Sequence, residues 1–211
     1  MVKTWVADIS ELLKIENYQK LYEQMPVERK RKAEQLHHIR DKALSVGAWA
    51  LLELARGEAK VDEHAIYNLS HSGRFVLCSL DDSGMEHIEV GCDIEEIKKF
   101  KKAVVRRFFC PNEQRYIIEQ PTEELQTEAF YRYWVLKESF MKATRRGMAL
   151  GLNTFEIEIQ EELPKLIKRP DDILGSYRFK EYTIQGIPYK IAVCTTSMDI
   201  EDKIFIRQWP L

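Results

Sequence analysis

Tyr131–Lys142 reads YRYWVLKESFMK. Side chains four apart in a helix share a face, so Phe130, Trp134, Glu138 and Lys142 form one stripe, flanked by Tyr133, Lys137 and Met141. A carboxylate thus continues a line begun by two large aromatic rings. An unpaired charge on a buried face is costly, so Glu138 must keep water, meet a cation or hold a proton. It can form an i,i+4 ion pair with Lys142 on a half-exposed face, worth about 0.3–0.5 kcal/mol. Alternatively, it can belong to a site assembled from other parts of the chain.

The same segment, read as a helix over Glu123–Thr144, organises the second half of the chain. Helices are expected before it at Phe100–Phe109 and Pro111–Glu119, and strands after it at Thr154–Ile159, Tyr177–Tyr182, Tyr189–Thr195 and Lys203–Ile206. The first half reads as a strand at Val2–Ala7 and helices at Ser10–Tyr22, Pro26–Arg40 and Ala43–Arg56. A strand pair follows in IYNLSHS and RFVLCSL. Both halves supply helices and a few strands, which predicts an α+β chain. The turn-rich DDSGME (Asp81–Glu86) is the weakest join. We expect an N-terminal lobe over 1–88 and a C-terminal lobe over 89–211, with a ligand site in the cleft between them.

The 211 residues are 45% hydrophobic and 31% charged, which supports a real core and a solvated surface. A formal net charge of −2 gives no case for nucleic acid binding. Cys78, Cys92, Cys110 and Cys194 form no CxxC pair and read as buried thiols in a reducing compartment. The N-terminus lacks a signal-peptide pattern, and Ala43–Ala55, the most apolar run, is too short to span a bilayer. A cytoplasmic protein with no membrane partner is expected.

VGCDIEEI (Val90–Ile97) supplies the second set of charges. In a strand Asp93 and Glu95 point to one side while Val90, Cys92 and Ile94 face the core. Two neighbouring carboxylates repel unless a positive charge lies between them. They suit either a solvated strand end or a hard-cation site. With Glu138 as third ligand and no histidine, such a site fits Mg²⁺ or Mn²⁺ better than zinc.

VGCDIEEI followed by WVLKESFMK (Trp134–Lys142) resembles the bipartite signature of the 4′-phosphopantetheinyl transferases. NLSHSG (Asn68–Gly73) and FFCPNE (Phe108–Glu113) match two further motifs of that family. The order and length resemble the surfactin-synthetase-activating class, which fuses two similar subdomains. The resemblance spans roughly residues 65–152. It implies two pseudo-symmetric lobes, each a small, mostly antiparallel sheet with packed helices, in a monomer. It also implies transfer of the phosphopantetheine arm of coenzyme A to a serine of an acyl or peptidyl carrier protein, releasing adenosine 3′,5′-bisphosphate.

In that reading Asp93, Glu95 and Glu138 hold Mg²⁺, while Lys142 and Lys137 reach the phosphates. Glu138 is the first choice to accept the serine proton and Glu113 the second. His71 contacts the 3′-phosphate with hydroxyls from Ser70 and Ser72. Arg29, Arg31 and Lys32 form a basic collar for coenzyme A, with Arg145 and Arg146 as lesser candidates. Phe108 and Phe109 suit either a carrier-docking patch or the core.

Two departures from the family pattern stand out. The usual Asp-x-x-Arg is Asp41-Lys42-Ala43-Leu44 here, leaving Lys42 as a substitute without the bidentate fork. The connection GEAKVDEHAIY (Gly57–Tyr67) is shorter than usual and lacks Gly-Lys-Pro. Both motivate an alternative, a degenerate member that binds carrier protein or coenzyme A without catalysis.

Overall fold

The computed structural model describes residues 1–159 and 163–211. β1 (Val2–Asp8) opens the first half and is followed by a 3₁₀ turn at Ser10–Leu13 and α1 (Ile15–Glu23). The single helix expected over Ser10–Tyr22 is therefore divided, at Lys14, whose backbone is extended. α2 (Val27–Glu34) and the 21-residue α3 (Ile39–Ala59) come next. Extended backbone at His38 separates them, so α2 stops short of the expected Arg40 and α3 starts before the expected Ala43. The hairpin of β2 (Tyr67–Ser72) and β3 (Phe75–Asp81) turns at Gly73, whose φ of 56° suits glycine.

The second half runs β4 (Val90–Glu96), α4 (Lys102–Phe108), α5 (Pro111–Ile118) and the 21-residue α6 (Glu123–Ala143). The short pair β5 (Glu156–Glu158) and β6 (Lys165–Lys168) follows, then β7 (Arg178–Tyr182), β8 (Tyr189–Thr195) and β9 (Ile200–Arg207). β6 was not legible in the sequence: its four residues, KLIK, are mostly exposed and too few to show a period.

The two halves repeat one plan. Each has a strand, a 21-residue helix and a hairpin whose second strand lies between the other two, giving the antiparallel orders β2-β3-β1 and β7-β8-β4. α3 packs on the first sheet and α6 on the second. This is the expected α+β arrangement of two pseudo-symmetric lobes. β9 departs from it. The strand read at Lys203–Ile206 leaves the second lobe and lies parallel to β1, pairing Val2 with Ile200 and Ala7 with Arg207.

Each lobe buries its own core, around Trp5, Leu51 and Leu52 in the first and Phe130, Phe140 and Phe155 in the second. A third cluster joins them, where Val6, Phe75 and Leu77 meet Cys92, Ile94 and Val193. All four cysteines are buried thiols. Among the described residues, no helix is long and apolar enough to cross a membrane.

Gly91 determines how closely β4 sits on α6. A Cβ there would lie 2.1 Å from the Ser139 carbonyl oxygen and 2.3 Å from the Ala143 nitrogen. Both are helix backbone and cannot step aside. Gly91→Ala is expected to force β4 off α6 at an overpacking cost of at least about 1–3 kcal/mol. A lowered urea midpoint would record it, and an unchanged midpoint would contradict so close an approach.

Candidate active site

The lobes meet where the edge strands β2 and β4 run side by side. Alternate residues of β2 share one face, and Asn68, Ser70 and Ser72 all turn toward β4. Asn68 Oδ1 accepts from the Cys92 backbone N–H at 3.0 Å, and Ser70 Oγ donates to Asp93 Oδ1 at 2.9 Å. Ser72 Oγ donates to Glu95 Oε2 at 2.7 Å and accepts from the Glu96 N–H at 3.1 Å. Side chains here replace the backbone ladder that would join two strands of one sheet. Ser70 and Ser72, read from the sequence as hydroxyls for a phosphate, instead hold the two carboxylates of β4.

Lys142 closes the arrangement from α6. Its Nζ donates to Asp93 Oδ1 at 2.7 Å and to Ser70 Oγ at 2.8 Å. The i,i+4 pair with Glu138 is thus replaced by a long-range pair with Asp93. Asp93 is 4% exposed, and its second oxygen, Oδ2, is buried with no hydrogen bond among the described residues. Burial pushes the Asp93 carboxyl up while Lys142 and Ser70 pull it back; burial pulls Lys142 down, but Asp93 and the other nearby anionic groups leave it raised. With a cation and a hydroxyl both on Oδ1, the pair is carboxylate and ammonium.

Glu95 and Glu138 are half-buried. Desolvation raises the pKa of each first, and the Asp93 charge raises both further; Glu138 adds to the shift at Glu95. The three carboxylates therefore lie within electrostatic reach of one another. Among the described residues, no three His, Cys, Asp or Glu side chains are drawn together tightly enough to enclose an ion as they stand. Mutual repulsion and the ammonium of Lys142 on Asp93 account for that spacing.

Lys137 and Glu113 require correction as site residues. Both are 0% exposed and bonded to each other at 2.7 Å. Lys137 Nζ also donates to the Phe155 carbonyl at 2.8 Å and lies 4.2 Å from that ring's centroid. Glu113 accepts from the Ile157 N–H at 2.9 Å and, as the capping-box glutamate of α5, from the Cys110 N–H at 2.8 Å. Burial pushes Glu113 up and Lys137 down, each opposing the shift in the other. One step round the helix from Glu138, position 137 points into the core rather than the cleft. The pair is a structural brace between α5, α6 and β5, and neither member can reach a phosphate or take a substrate proton.

The basic collar is partly assembled. Arg29 and Lys32 line an open cavity of about 910 Å³ with Trp49, Arg56, His64 and Tyr67. Arg29 lies 4.7 Å from the Trp49 ring centroid, and Arg56 sits 5.8 Å from it and 5.2 Å from that of Tyr67. The buried Nε atoms of Arg29 and Arg56 have no hydrogen bond among the described residues. Arg31 and Lys42 do not line this cavity. A neighbouring space of about 450 Å³ shares Arg29 and Tyr67 and extends to Asn68 and Arg145. Arg145 ends α6 in left-handed conformation at φ 55°, whereas Arg146 pairs with Asp172 at 2.7 Å.

Sequence reasoning missed Arg56 and Trp49. With Glu53 they stand at i, i+4 and i+7 on one face of α3, and that spacing was the available signal. His71 is exposed on the face of β2 opposite Ser70 and outside both cavities. Neighbouring protein and then the Lys142 charge push its imidazole down, with Asp41 opposing. Phe109 is core, and Phe108 packs edge-on to Trp134 at 6.4 Å.

Residues 89–194 match the 4′-phosphopantetheinyl transferase superfamily. The chain is similar to 4′-phosphopantetheinyl transferase Sfp of Bacillus subtilis (strain 168), with 34% identity over 140 residues, 66% of this chain and 59% of that protein. It is also similar to a 4′-phosphopantetheinyl transferase of Bacillus pumilus, with 36% identity over 129 residues, 61% of this chain and 52% of the relative. The chain thus spans between half and two thirds of the length of these curated relatives. The match begins at the doorstep of β4 and closes in β8, enclosing Asp93, Glu95, Glu138 and Lys142, and with it the chain belongs to the 4′-phosphopantetheinyl transferase superfamily and is of its Sfp type.

Proposed function

We propose that this chain transfers the 4′-phosphopantetheine arm of coenzyme A to a serine hydroxyl of an acyl or peptidyl carrier protein, releasing adenosine 3′,5′-bisphosphate. The observation that carries this reading is Asp93, with Lys142 and Ser70 on one oxygen and the other buried without a partner among the described residues. An orphaned carboxylate oxygen beside two more carboxylates suits a hard divalent cation. We assign Asp93, Glu95 and Glu138 to Mg²⁺, with Mn²⁺ as a substitute. When bound, the ion neutralises charge on the pyrophosphate as the leaving group departs.

The protein's own groups do the rest. Lys142, fixed by Asp93 and Ser70, presents a cation where phosphate charge develops. Glu138 accepts the serine proton, and its raised proton affinity brings it closer to the working pH of a general base. The cavity around Trp49 takes the nucleotide end, with the ring as a stacking face and Arg29 and Lys32 for phosphate. Both walls of the cleft come from one chain, so we assign a monomer. The buried free thiols suit the cytoplasm.

Mass spectrometry of a panel of apo carrier proteins incubated with coenzyme A and Mg²⁺ tests the reading. At least one carrier is expected to gain the phosphopantetheine mass, and the gain should stop in excess EDTA. No gain on any carrier would refute the transferase, and transfer undiminished by EDTA would refute the metal site.

A further inference from the structure

We propose that Ser70 and Ser72 are positioning residues that aim the carboxylates of β4 at a divalent cation, tying cation binding to the contact between the lobes. The inference rests on the assignment of Asp93, Glu95 and Glu138 as cation ligands. Both serines belong to the first lobe and both carboxylates to the second. Each serine bonds one oxygen of its carboxylate: Ser70 takes Asp93 Oδ1, and Ser72 takes Glu95 Oε2. The other oxygen of Asp93 has no hydrogen bond among the described residues.

Geometry makes the serines more than packing. Ser70 is 6% exposed, and its Oγ meets both Lys142 Nζ and Asp93 Oδ1, so a single hydroxyl fixes the ammonium and the carboxylate together. Ser72 Oγ accepts from the Glu96 N–H while donating to Glu95, which leaves its proton one direction to point. A hydroxyl locked in this way fixes the rotamer of the carboxylate it serves. Without it, Glu95 must give up rotamer freedom on binding an ion, and the repulsion from Asp93 favours conformers that point away. Losing such a supporting hydrogen bond weakens metal binding about 10–100-fold.

Asn68 provides the internal control. It bonds the Cys92 backbone N–H and thiol from the same face of β2 and, among the described residues, has no hydrogen bond to a carboxylate. If the serines only glued the lobes, removing Asn68 would be equivalent to removing them.

The experiment is a Mn²⁺ titration of the whole protein, read by water-proton relaxation, with melting temperatures measured in EDTA. Ser70→Ala and Ser72→Ala are expected to weaken Mn²⁺ binding about 10–100-fold. Ser72→Thr, which keeps the hydroxyl, should restore most of the affinity. Asn68→Ala should lower the melting temperature and leave Mn²⁺ affinity within about twofold, well short of the loss a carboxylate support entails. Wild-type affinity in both serine-to-alanine variants overturns the positioning role alone. An equal loss in Asn68→Ala also overturns it, reducing the serines to interface glue. No Mn²⁺ binding by the unaltered protein overturns the cation assignment and this inference with it.

Discussion

In Glu138→Gln, carrier-protein modification is expected to fall about 10²–10⁴-fold, the usual contribution of a general base, with the fold intact. The substitution keeps the shape and removes the charge. Glu138 is half-buried, and desolvation and Asp93 both disfavour its ionised form. In metal-free buffer its charge opposes folding, so the melting temperature of the variant should hold or rise. The sign with pH follows from the same shifts. Glu95 and Glu138 bind protons more tightly folded than unfolded, so metal-free stability is fullest below the ordinary glutamate pKa and declines as pH rises from there through their raised values. Glu138→Gln should flatten that decline. A lower melting temperature with near-normal turnover would mean that the aromatic stripe carries its glutamate for structural reasons.

Lys137→Met is expected to show the opposite pattern, a large loss of stability with little change in turnover per folded molecule. Removing one member of a buried, hydrogen-bonded ion pair costs about 3–5 kcal/mol, because the other charge is left without compensation. For a chain of this size that is a fall of roughly 6–20 °C in melting temperature. Glu113 would keep its N–H donors from Ile157 and Cys110 but lose its only cation in contact among the described residues. Lys137→Met combined with Glu113→Gln should recover part of the loss, since a neutral pair needs no counter-charge. KM for coenzyme A should stay close to that of the unaltered protein. A large rise in KM at unchanged melting temperature would return Lys137 to the phosphate site.

The contrast between these adjacent residues shows how far the sequence could be read. Helix periodicity placed Lys137 and Glu138 on neighbouring faces, and motif resemblance tied Glu138 to Asp93 and Glu95. The turn of helix between them decides everything else. Position 137 meets Glu113, 24 residues away, and no local pattern announces that two charges so separated will be buried together. The strands of β2 and β4 were legible from alternation, yet alternation does not name a strand's neighbour. Ser70 and Ser72 were singled out only as hydroxyls beside His71, while their partners on β4 emerged only when two sheet edges were set side by side. The basic cavity divides in the same manner. Arg29 and Lys32 followed from the family resemblance, which singled out their charge run, whereas the contact of Arg56 with Tyr67 joins α3 to β2 and shows only in the fold.

The parallel pairing of β1 with β9 joins Val2 to Ile200. β1 leaves the ribosome well ahead of β9, which lies most of this sequence further along. At about 5–20 residues per second, the outer edge of β1 waits on the order of 10–40 s for its partner. Trp5, Val6 and Ala7, all buried in the finished protein, sit in the strand that waits. An unpaired apolar edge is a template for pairing with another chain. The nascent first lobe is therefore the stage at which this protein is most exposed to misassembly, and the strand that ends that exposure arrives only after the second lobe has been made.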